Sequence, residues 1–200
     1  MMIIVSTLVG AGYEREVYLH PSRDDRVIKI SKNVAVNRNH MDHAYLSAIK
    51  PHSILPRMHG WVDTQMGPGL VFERVRDADG ETSVTLKIAL RTGRVTPEEG
   101  RSLLKGALST LRKDGIILHD DKTLSNFVVQ EGPGSRRLIM VDGFGPSMMT
   151  RKARLRMRFP LLALGKTLRC SFNLNALLKK EVKALNRNRK LVEGVTLQAG

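Results

Sequence analysis

The chain has 200 residues, of which 42% are hydrophobic and 26% are charged, and its formal net charge is +14. These values fit one large globular domain or two small lobes, and they exclude a chain dominated by disorder. The single cysteine, Cys170, excludes an internal disulfide. No run of residues approaches the roughly eighteen apolar positions of a transmembrane helix, and the N-terminus lacks a signal-peptide pattern. We therefore expect a cytoplasmic protein with no transmembrane segment.

The positive charge is concentrated in the last quarter of the chain. Residues 151–200 hold 13 basic side chains against two carboxylates, Glu181 and Glu193, which makes a net charge of +11. A focused positive field attracts anions, so a nucleic acid, an acidic membrane surface or a phosphorylated substrate is a possible partner of this segment. The alternative is a solvated helical face that binds nothing.

The N-terminal segment predicts a strand over residues 3–9, followed by a glycine-containing turn and a second strand. Gly10, Gly12 and Val17 follow the pattern G-x-G-x-x-x-x-V. Two glycines let the backbone approach phosphate oxygens and offer them N–H groups, and Val17 would cover one face of an adenine ring. A plain β-hairpin needs glycine for the same turn without any ligand, and both interpretations remain open.

Lys29 is the one charged residue between the apolar positions of the next predicted strand, Arg26 to Ile30. Strand alternation places it on the face opposite Ile28 and Ile30, on the side of the glycine turn. It is therefore a candidate phosphate-binding lysine, and the alternative is an exposed strand residue. A helix is predicted from Arg38 to Ile49, and its only carboxylate, Asp42, is the candidate ion-pair partner of Lys29.

Two further strands are predicted over residues 54–63 and 69–75, which completes a lobe of five strands and one helix. The polar segment 76–81 is the natural position for a hinge. After it, Thr96 with Pro97 and Glu99 forms a capping box at the start of a helix whose apolar stripe continues to Leu111.

Two polar loops follow that helix. Residues 119–126 read H-x-D-x-x-x-x-N, and residues 139–145 read as an apolar strand that ends in Asp-Gly-Phe-Gly. A phosphoryl-transfer site needs a carboxylate directed at the attacking hydroxyl, together with an amide oxygen and a second carboxylate that hold Mg²⁺. Asp121, Asn126 and Asp142 supply that set. Asp121 and Asn126 are close enough in the chain for a single turn to direct both side chains into one pocket.

The C-terminal segment predicts three helical stretches, over residues 151–158, 160–168 and 174–185. In the last of them the apolar residues recur at helical spacing, with lysines on the opposite side. We expect this stripe to pack on the second half of the chain; it consists of Leu174, Leu177, Leu178, Val182 and Leu185.

Taken in chain order, these motifs resemble the protein-kinase-like fold over about residues 3–145. The residues that carry the resemblance are Gly10, Gly12, Val17, Lys29, His119, Asp121, Asn126 and Asp142. In finer detail the sequence resembles the family of the PhoP regulatory network protein YrbL, through residues 27–30, 55–60 and 79–86 and through the basic tail.

The resemblance implies an α+β protein with a two-lobed, protein-kinase-like fold. A small N-lobe built on an antiparallel sheet would span residues 1–76, and a reduced, mainly helical C-lobe would span residues 77–150. Residues 151–200 would then be a basic helical extension packed on the C-lobe.

The resemblance also implies residue roles and the cofactors ATP and Mg²⁺. Lys29 would bind phosphates, with Gly10, Gly12 and Val17 around the nucleotide. Asp121 would act as the catalytic base, and Asn126 with Asp142 would hold the metal. The segment from Phe72 through Glu73 to Val75 would present its backbone to the adenine.

Three functions are compatible with these patterns. The first is a Mg-ATP-dependent phosphotransferase acting on an unidentified acceptor, because all three polar catalytic residues are present. The second is a pseudokinase-like regulatory module that binds nucleotide, or none, and transfers no phosphoryl group. Three departures from the kinase pattern favour it. Arg15 replaces the third glycine of a kinase loop, Asp120 replaces the usual arginine, and no Ala-Pro-Glu segment follows. The third is a protein that acts mainly through its basic tail.

Overall fold

The computed structural model describes residues 2–33, 37–119, 123–148, 150–159 and 161–198, except for the side chains of residues 161, 163 and 188–198. The protein is of the α+β class. Seven strands and five α-helices are described, in the chain order β1 to β3, α1, β4, β5, α2, α3, β6, β7, α4 and α5.

The N-terminal half forms a five-stranded antiparallel sheet in the order β1-β2-β3-β5-β4. Helix α1 lies between β3 and β4 in the chain and packs on β3, β4 and β5. The prediction of five strands and one helix is confirmed. The strands are β1 (Leu8–Ala11), β2 (Arg15–His20), β3 (Arg23–Ser31), β4 (Met58–Thr64) and β5 (Gly67–Glu73), and the helix is α1 (Arg38–Ala48).

The first predicted strand begins too early. Residues 3–5 instead lie beside β4, where Ile3 bridges Thr64 and the Gln65 side chain bonds both the N–H and the carbonyl of Val5. This placement lets Val5 cover the sheet face that carries Ile28. The chain then crosses to the opposite edge to form β1. The apolar pattern therefore indicated the burial of Val5 correctly, whereas Ile4, Leu8 and Val9 are exposed.

The second half of the chain contains helices and one β-hairpin. Thr96 caps the third helix as predicted, with its hydroxyl accepting the Glu99 N–H. A single 3₁₀ turn, Leu124–Asn126, precedes the hairpin. The elements are α2 (Leu86–Arg91), α3 (Pro97–Lys113), β6 (Phe127–Gly132), β7 (Ser135–Met140), α4 (Arg151–Arg158) and α5 (Leu161–Gln198).

The main core joins the two halves. One cluster of buried side chains includes Phe72 from the sheet, Tyr45 from α1, Leu104 from α3 and Phe127 from the hairpin. The predicted stripe of the tail joins the same cluster through Leu174, Leu178 and Val182, with Leu185 partly buried against it. Leu177 is exposed instead, because it lies on the other side of α5.

The predicted hinge segment is held by hydrogen bonds. The buried Asp77 accepts from the Ser83 hydroxyl at 2.5 Å, from the Glu131 N–H at 2.9 Å and from the Arg94 guanidinium at 2.7 Å. These three donors hold the buried carboxylate in place, because a buried carboxylate without a partner would be strongly destabilising. Residues 76–81 are thus bonded to the β6–β7 hairpin. Among the described residues, no helix combines the length and apolarity needed to cross a bilayer.

Candidate functional site

Lys29 projects from the middle of β3 into the space between the sheet and the second half of the chain. Its strand neighbours are Val17 on β2 and Leu70 on β5. The ammonium nitrogen donates to the carbonyl of Val141 at 2.5 Å and lies 4.4 Å from the centre of the Phe72 ring. Only 5% of the residue is exposed. Burial and the nearby Arg15 lower the pKa of Lys29 to about 8, although Asp142 and Asp42 oppose this shift.

Arg15 occupies the same face of the sheet, two residues from Val17 on β2. Its guanidinium contacts the carboxylate of Asp42 at 2.5 Å, the side-chain oxygen of Asn39 at 3.1 Å, and the carboxylate of Asp142. Burial acts to lower the pKa of Arg15, but the two carboxylates outweigh it and raise the pKa above its usual value. Arg15 is therefore a fixed positive charge that links α1 to the loop after β7.

Asp42 was predicted to pair with Lys29, and that pairing is wrong. The buried carboxylate pairs with Arg15 and, at 3.6 Å, with Arg38 of its own helix. A buried carboxylate takes the donor that can reach it with good geometry, and a planar guanidinium bonds it with more directional donors than an ammonium. Asn39, next to Asp42 on α1, instead bonds the backbone carbonyl of Lys29 at 2.8 Å.

Asp142 lies two residues after the end of β7, and 48% of its side chain is exposed. Its Oδ1 atom accepts from Arg15 and, at 2.8 Å, from the Gly143 N–H. Burial acts to raise its pKa, but Lys29 and Arg15 lower it to about 2. In the described part of the chain, no hydrogen bond ends on the other oxygen, Oδ2. This oxygen is the one that can accept a further ligand.

Asn126 flanks Asp142. Its carbonyl accepts the Val141 N–H at 2.8 Å, and its side-chain amide lies against Gly143. A β-carbon on Gly143 would lie 2.3 Å from the amide nitrogen of Asn126, so only glycine leaves room for this packing. The backbone N–H of His119 donates to the Gly143 carbonyl at 2.7 Å, which brings the first polar loop to the second. Asp121, the predicted base, lies outside the described residues.

The glycine turn has a different arrangement from the one expected of a phosphate cradle. The Gly12 N–H donates to the carbonyl of Arg15 at 2.8 Å and so closes the turn internally. Gly10 belongs to β1 and pairs with Val17. Val17 is half-buried above Lys29 and contacts the main core. Of these three predicted residues, the geometry therefore brings Val17 to the Lys29 site.

The predicted adenine-binding segment is partly engaged in other contacts. Phe72 is fully buried under the Lys29 ammonium. The Glu73 N–H donates to the Arg57 carbonyl at 2.7 Å, and the Val75 carbonyl accepts the Ser83 N–H at 3.0 Å. Glu73 and Val75 also line a cavity of about 430 Å³ whose lining residues do not include Lys29, Arg15 or Asp142.

The described residues of the site carry a net positive charge. Its charged groups are Lys29, Arg15 and Arg38 against Asp42 and Asp142, so positive charge is in excess when Lys29 is protonated. Within the described ranges, no cluster of three or more His, Cys, Asp or Glu side chains could hold a metal ion. The Asp142 carboxylate could hold Mg²⁺, which takes one or two protein oxygens and completes its shell with phosphate and water. The Asn126 amide oxygen, which accepts the Thr123 hydroxyl at 3.3 Å, would be the second ligand.

The functional residue that the sequence interpretation missed is Arg15, which it treated only as a replaced glycine. A signal was present. Arg15, Val17 and Lys29 occupy alternating positions on two adjacent strands, so a hairpin between them puts all three on one face. The strand register was needed to make that inference.

Comparison with known proteins identifies the family. The family model for the PhoP regulatory network protein YrbL matches residues 3–170. This chain belongs to the YrbL family. Over 85 residues it is 35% identical to YrbL of Escherichia coli (strain K12), a match that covers 39% of this chain and 40% of that protein. YrbL of Shigella flexneri matches with the same values. The matched region thus spans 40% of the length of these curated relatives.

The whole Lys29 site lies inside the region that the YrbL model matches. Arg15, Lys29, Asp42, Asn126 and Asp142 all fall between residues 3 and 170. The resemblance to the YrbL family stated from the sequence is confirmed, and the protein-kinase-like fold stays a prediction. Helix α5 begins inside the matched region and continues beyond it.

Proposed function

We propose that this YrbL-family protein is a phosphotransferase that binds Mg-ATP between the sheet and the β6–β7 hairpin, in a two-lobed, protein-kinase-like arrangement. The observation that carries the proposal is the convergence of Lys29, Asp142 and Asn126 from distant parts of the chain. Their groups are an ammonium, a carboxylate with one oxygen available, and an amide. These are the groups that phosphoryl transfer requires for positioning and charge neutralisation.

The division of labour follows from the position of each group. Lys29 would donate to phosphate oxygens, and phosphate binding would raise its lowered pKa because an anion stabilises the charged ammonium. Asp142, through Oδ2, and Asn126 would hold Mg²⁺, which neutralises phosphate charge when bound. In the proposed transfer, the acceptor oxygen bonds to the terminal phosphorus, the bond to the departing diphosphate oxygen breaks, and Asp121 takes the hydroxyl proton.

The adenine would lie against Val17 on the sheet side, which pairs with Lys29 and is half-buried. Val128 and Val141 belong to a separate apolar cluster on the hairpin side, together with Val75. A planar base between two apolar surfaces gains from the burial of its faces, at about 25 cal/mol for each Å² removed from water.

Thermal unfolding with ATP and Mg²⁺ tests the proposal. A ligand that binds only the folded state adds RT ln(1 + [L]/Kd), about 2.7 kcal/mol at a hundredfold excess over Kd. We expect ATP with Mg²⁺ to raise the Tm of the wild type, and this rise to disappear in Lys29→Met and Asp142→Asn. Lys105→Met and Asp63→Asn, which change exposed residues away from the site, are the matched controls. An equal rise in all five proteins would contradict the proposal.

A second function is favoured by one observation, the Arg15–Asp142 ion pair. A guanidinium that neutralises the metal-binding carboxylate suits a pseudokinase-like module, which binds nucleotide and signals through its surface without transfer. The two functions differ in turnover. ATP turnover that is lost in Asp121→Asn, while nucleotide-dependent stabilisation is kept, supports the phosphotransferase. Stabilisation without turnover in the wild type supports the regulatory module.

A further inference from the structure

Helix α4 has an outward face that is both apolar and basic. Ala153 and Met157 face the protein, while Leu155 is 50% exposed on the opposite side. Residues three and four positions apart are neighbours on a helix. Leu155 is therefore bordered by exposed side chains on both sides, namely Arg151, Lys152, Arg158 and Phe159.

An exposed apolar stripe continues on the first half of α5. Leu164, Leu168 and Phe172 are spaced four residues apart, and Leu168 and Phe172 are 45% and 76% exposed. The buried residues of the same turns, among them Cys170 and Leu174, point the other way into the core. Exposed side chains also occupy the turn between the helices, where the Leu162 N–H donates to the Phe159 carbonyl at 2.9 Å.

The described cations on this face are not paired with a carboxylate of their own segment. In the described part of the segment, the only carboxylate is Glu181, and it pairs with Arg91 of α2 at 2.5 Å. Arg151, Lys152, Arg154 and Arg158 form no ion pair or side-chain hydrogen bond within the described residues. The first turn of α4 also contains no acidic residue, so Arg151 and Lys152 lie at the positive end of the helix dipole. Their placement costs helix stability, and an external anion would relieve that cost.

We propose that α4 and the first half of α5 form a docking surface for an anionic lipid bilayer. We call it the basic–apolar surface. It consists of Arg151, Lys152, Arg154, Leu155, Arg158, Phe159, Leu164, Leu168 and Phe172. A bilayer surface accepts both properties at once: the leucines and phenylalanines enter the boundary of the acyl chains, and the arginines and lysine remain at the level of the phosphates.

Other occupants match only one of the two properties. A second copy of the chain would cover the apolar side chains but would bring like charges together in a symmetric contact, which is unfavourable. A nucleic acid would satisfy the charges, but it offers its backbone phosphates to cations and leaves leucine side chains exposed. The proposal does not depend on phosphotransfer by the Lys29 site.

Co-sedimentation of the full chain with lipid vesicles tests the proposal. One set of vesicles contains only phosphatidylcholine, and the other contains phosphatidylcholine and phosphatidylglycerol in equal parts. We expect binding to the anionic vesicles alone, with a steep loss of affinity as salt is added. Arg151→Gln/Arg154→Gln/Arg158→Gln should weaken binding by about fivefold for each charge removed, since each basic residue near an anionic surface contributes about 1 kcal/mol.

The apolar contribution is tested separately with Leu168→Gln/Phe172→Gln. This variant keeps every charge and should bind about tenfold more weakly for each side chain removed, given about 1.5 kcal/mol for burial of a large apolar side chain. Ile88→Gln, an exposed apolar position on α2, is the control for this pair. Lys87→Gln/Lys105→Gln/Lys113→Gln, which removes three charges elsewhere, is the control for the arginine variant. The Tm of every variant is measured as well, so that a loss of vesicle binding can be distinguished from a loss of folding.

Each outcome decides the proposal. Loss of binding in both surface variants, with both controls unchanged, supports it. Equal binding by the surface variants and their controls overturns it, because the attraction would then be a general effect of net charge. Absence of vesicle binding overturns it as well. Weakening in the arginine variant alone, together with competition by a homopolymeric RNA, would assign the surface to nucleic acid instead.

Discussion

The guanidinium of Arg15 contacts the carboxylate of Asp142 across the boundary between the sheet and the second half of the chain. The same guanidinium contacts the buried Asp42 on α1. One side chain therefore joins a strand, a helix and the loop that carries the proposed metal ligand. The contact neutralises part of the charge of Asp142 and also fixes the orientation of its carboxylate.

Arg15→Leu should be strongly destabilising, because among the described residues it leaves the buried carboxylate of Asp42 with only the longer contact to Arg38. We expect a loss of about 3 kcal/mol in the free energy of unfolding, the lower end for removal of one partner of a buried ion pair. Urea denaturation measures it, with Arg23→Leu at the exposed start of β3 as the control. In Arg15→Leu/Asp42→Leu the loss should be smaller than the sum of the two single losses. Strict additivity would contradict the coupling.

The lowered pKa of Lys29 predicts a pH dependence of stability. Its pKa falls from 10.5 to about 8 on folding, so between these values the unfolded chain binds the proton that the folded protein has released. Stability therefore rises with pH above about 8, by up to ~1.4 kcal/mol per pH unit, and is unaffected by this group at lower pH. The opposite effect of Tyr45, whose pKa burial raises to about 12, begins only above 10.

Urea unfolding across the alkaline range measures this slope. The wild type should show the rise from about pH 8 to about pH 10, and Lys29→Met should lack it because the titrating group is gone. Lys105→Met should behave like the wild type. A rise of equal size in Lys29→Met would mean that another group is responsible.

Gly143 gives a test of the Asn126 position. Its φ of +77° is left-handed, and a β-carbon would displace the Asn126 amide, whereas Gly134 has a φ of +69° with nothing within 4 Å of the same carbon. Both alanine variants therefore carry the backbone cost of about 1–2 kcal/mol, but only Gly143→Ala moves Asn126. We expect Gly143→Ala to lose the stabilisation by ATP and Mg²⁺ and Gly134→Ala to keep it, as measured by the shift in Tm. Retention in both would exclude Asn126 as a metal ligand.

Local signals predicted the helices of the first 150 residues well, whereas the stretches predicted over residues 160–168 and 174–185 belong to one helix, α5. The apolar spacing and Pro51 place the end of α1 within one residue, and the Thr96 capping box marks the start of α3. The strand predicted from Ile54 begins only at Met58. Ile54 is instead buried in a loop, and its carbonyl accepts the Met140 N–H of β7. An apolar segment indicates that some of its residues are buried, whereas the tertiary structure decides which element pairs with its backbone.

The residues of the candidate site also fall into two groups, those that a local sequence pattern predicted and those that it did not. Asn126 and Asp142 were found because each lies in a polar loop with a short, distinctive spacing, and Lys29 was found because a charge interrupts an apolar strand. The role of Arg15 depends on which carboxylates the folded chain brings to it, and no local pattern contains that information. Asp42 was assigned to the wrong cation for the same reason, because two basic residues on adjacent strands compete for it.

Tyr45 limits how this protein can change shape. Its hydroxyl accepts the Ile117 N–H at 2.9 Å, and its ring packs directly on the backbone of Gly145, where a β-carbon would be only 3.1 Å away. Close-packed interiors transmit displacement rather than absorb it. Helix α1 therefore moves as one body with the segment after Asp142, and an outward movement of the helix would disrupt the packing of the core. A conformational change at the Lys29 site would therefore keep α1 and the backbone of Gly145 in contact.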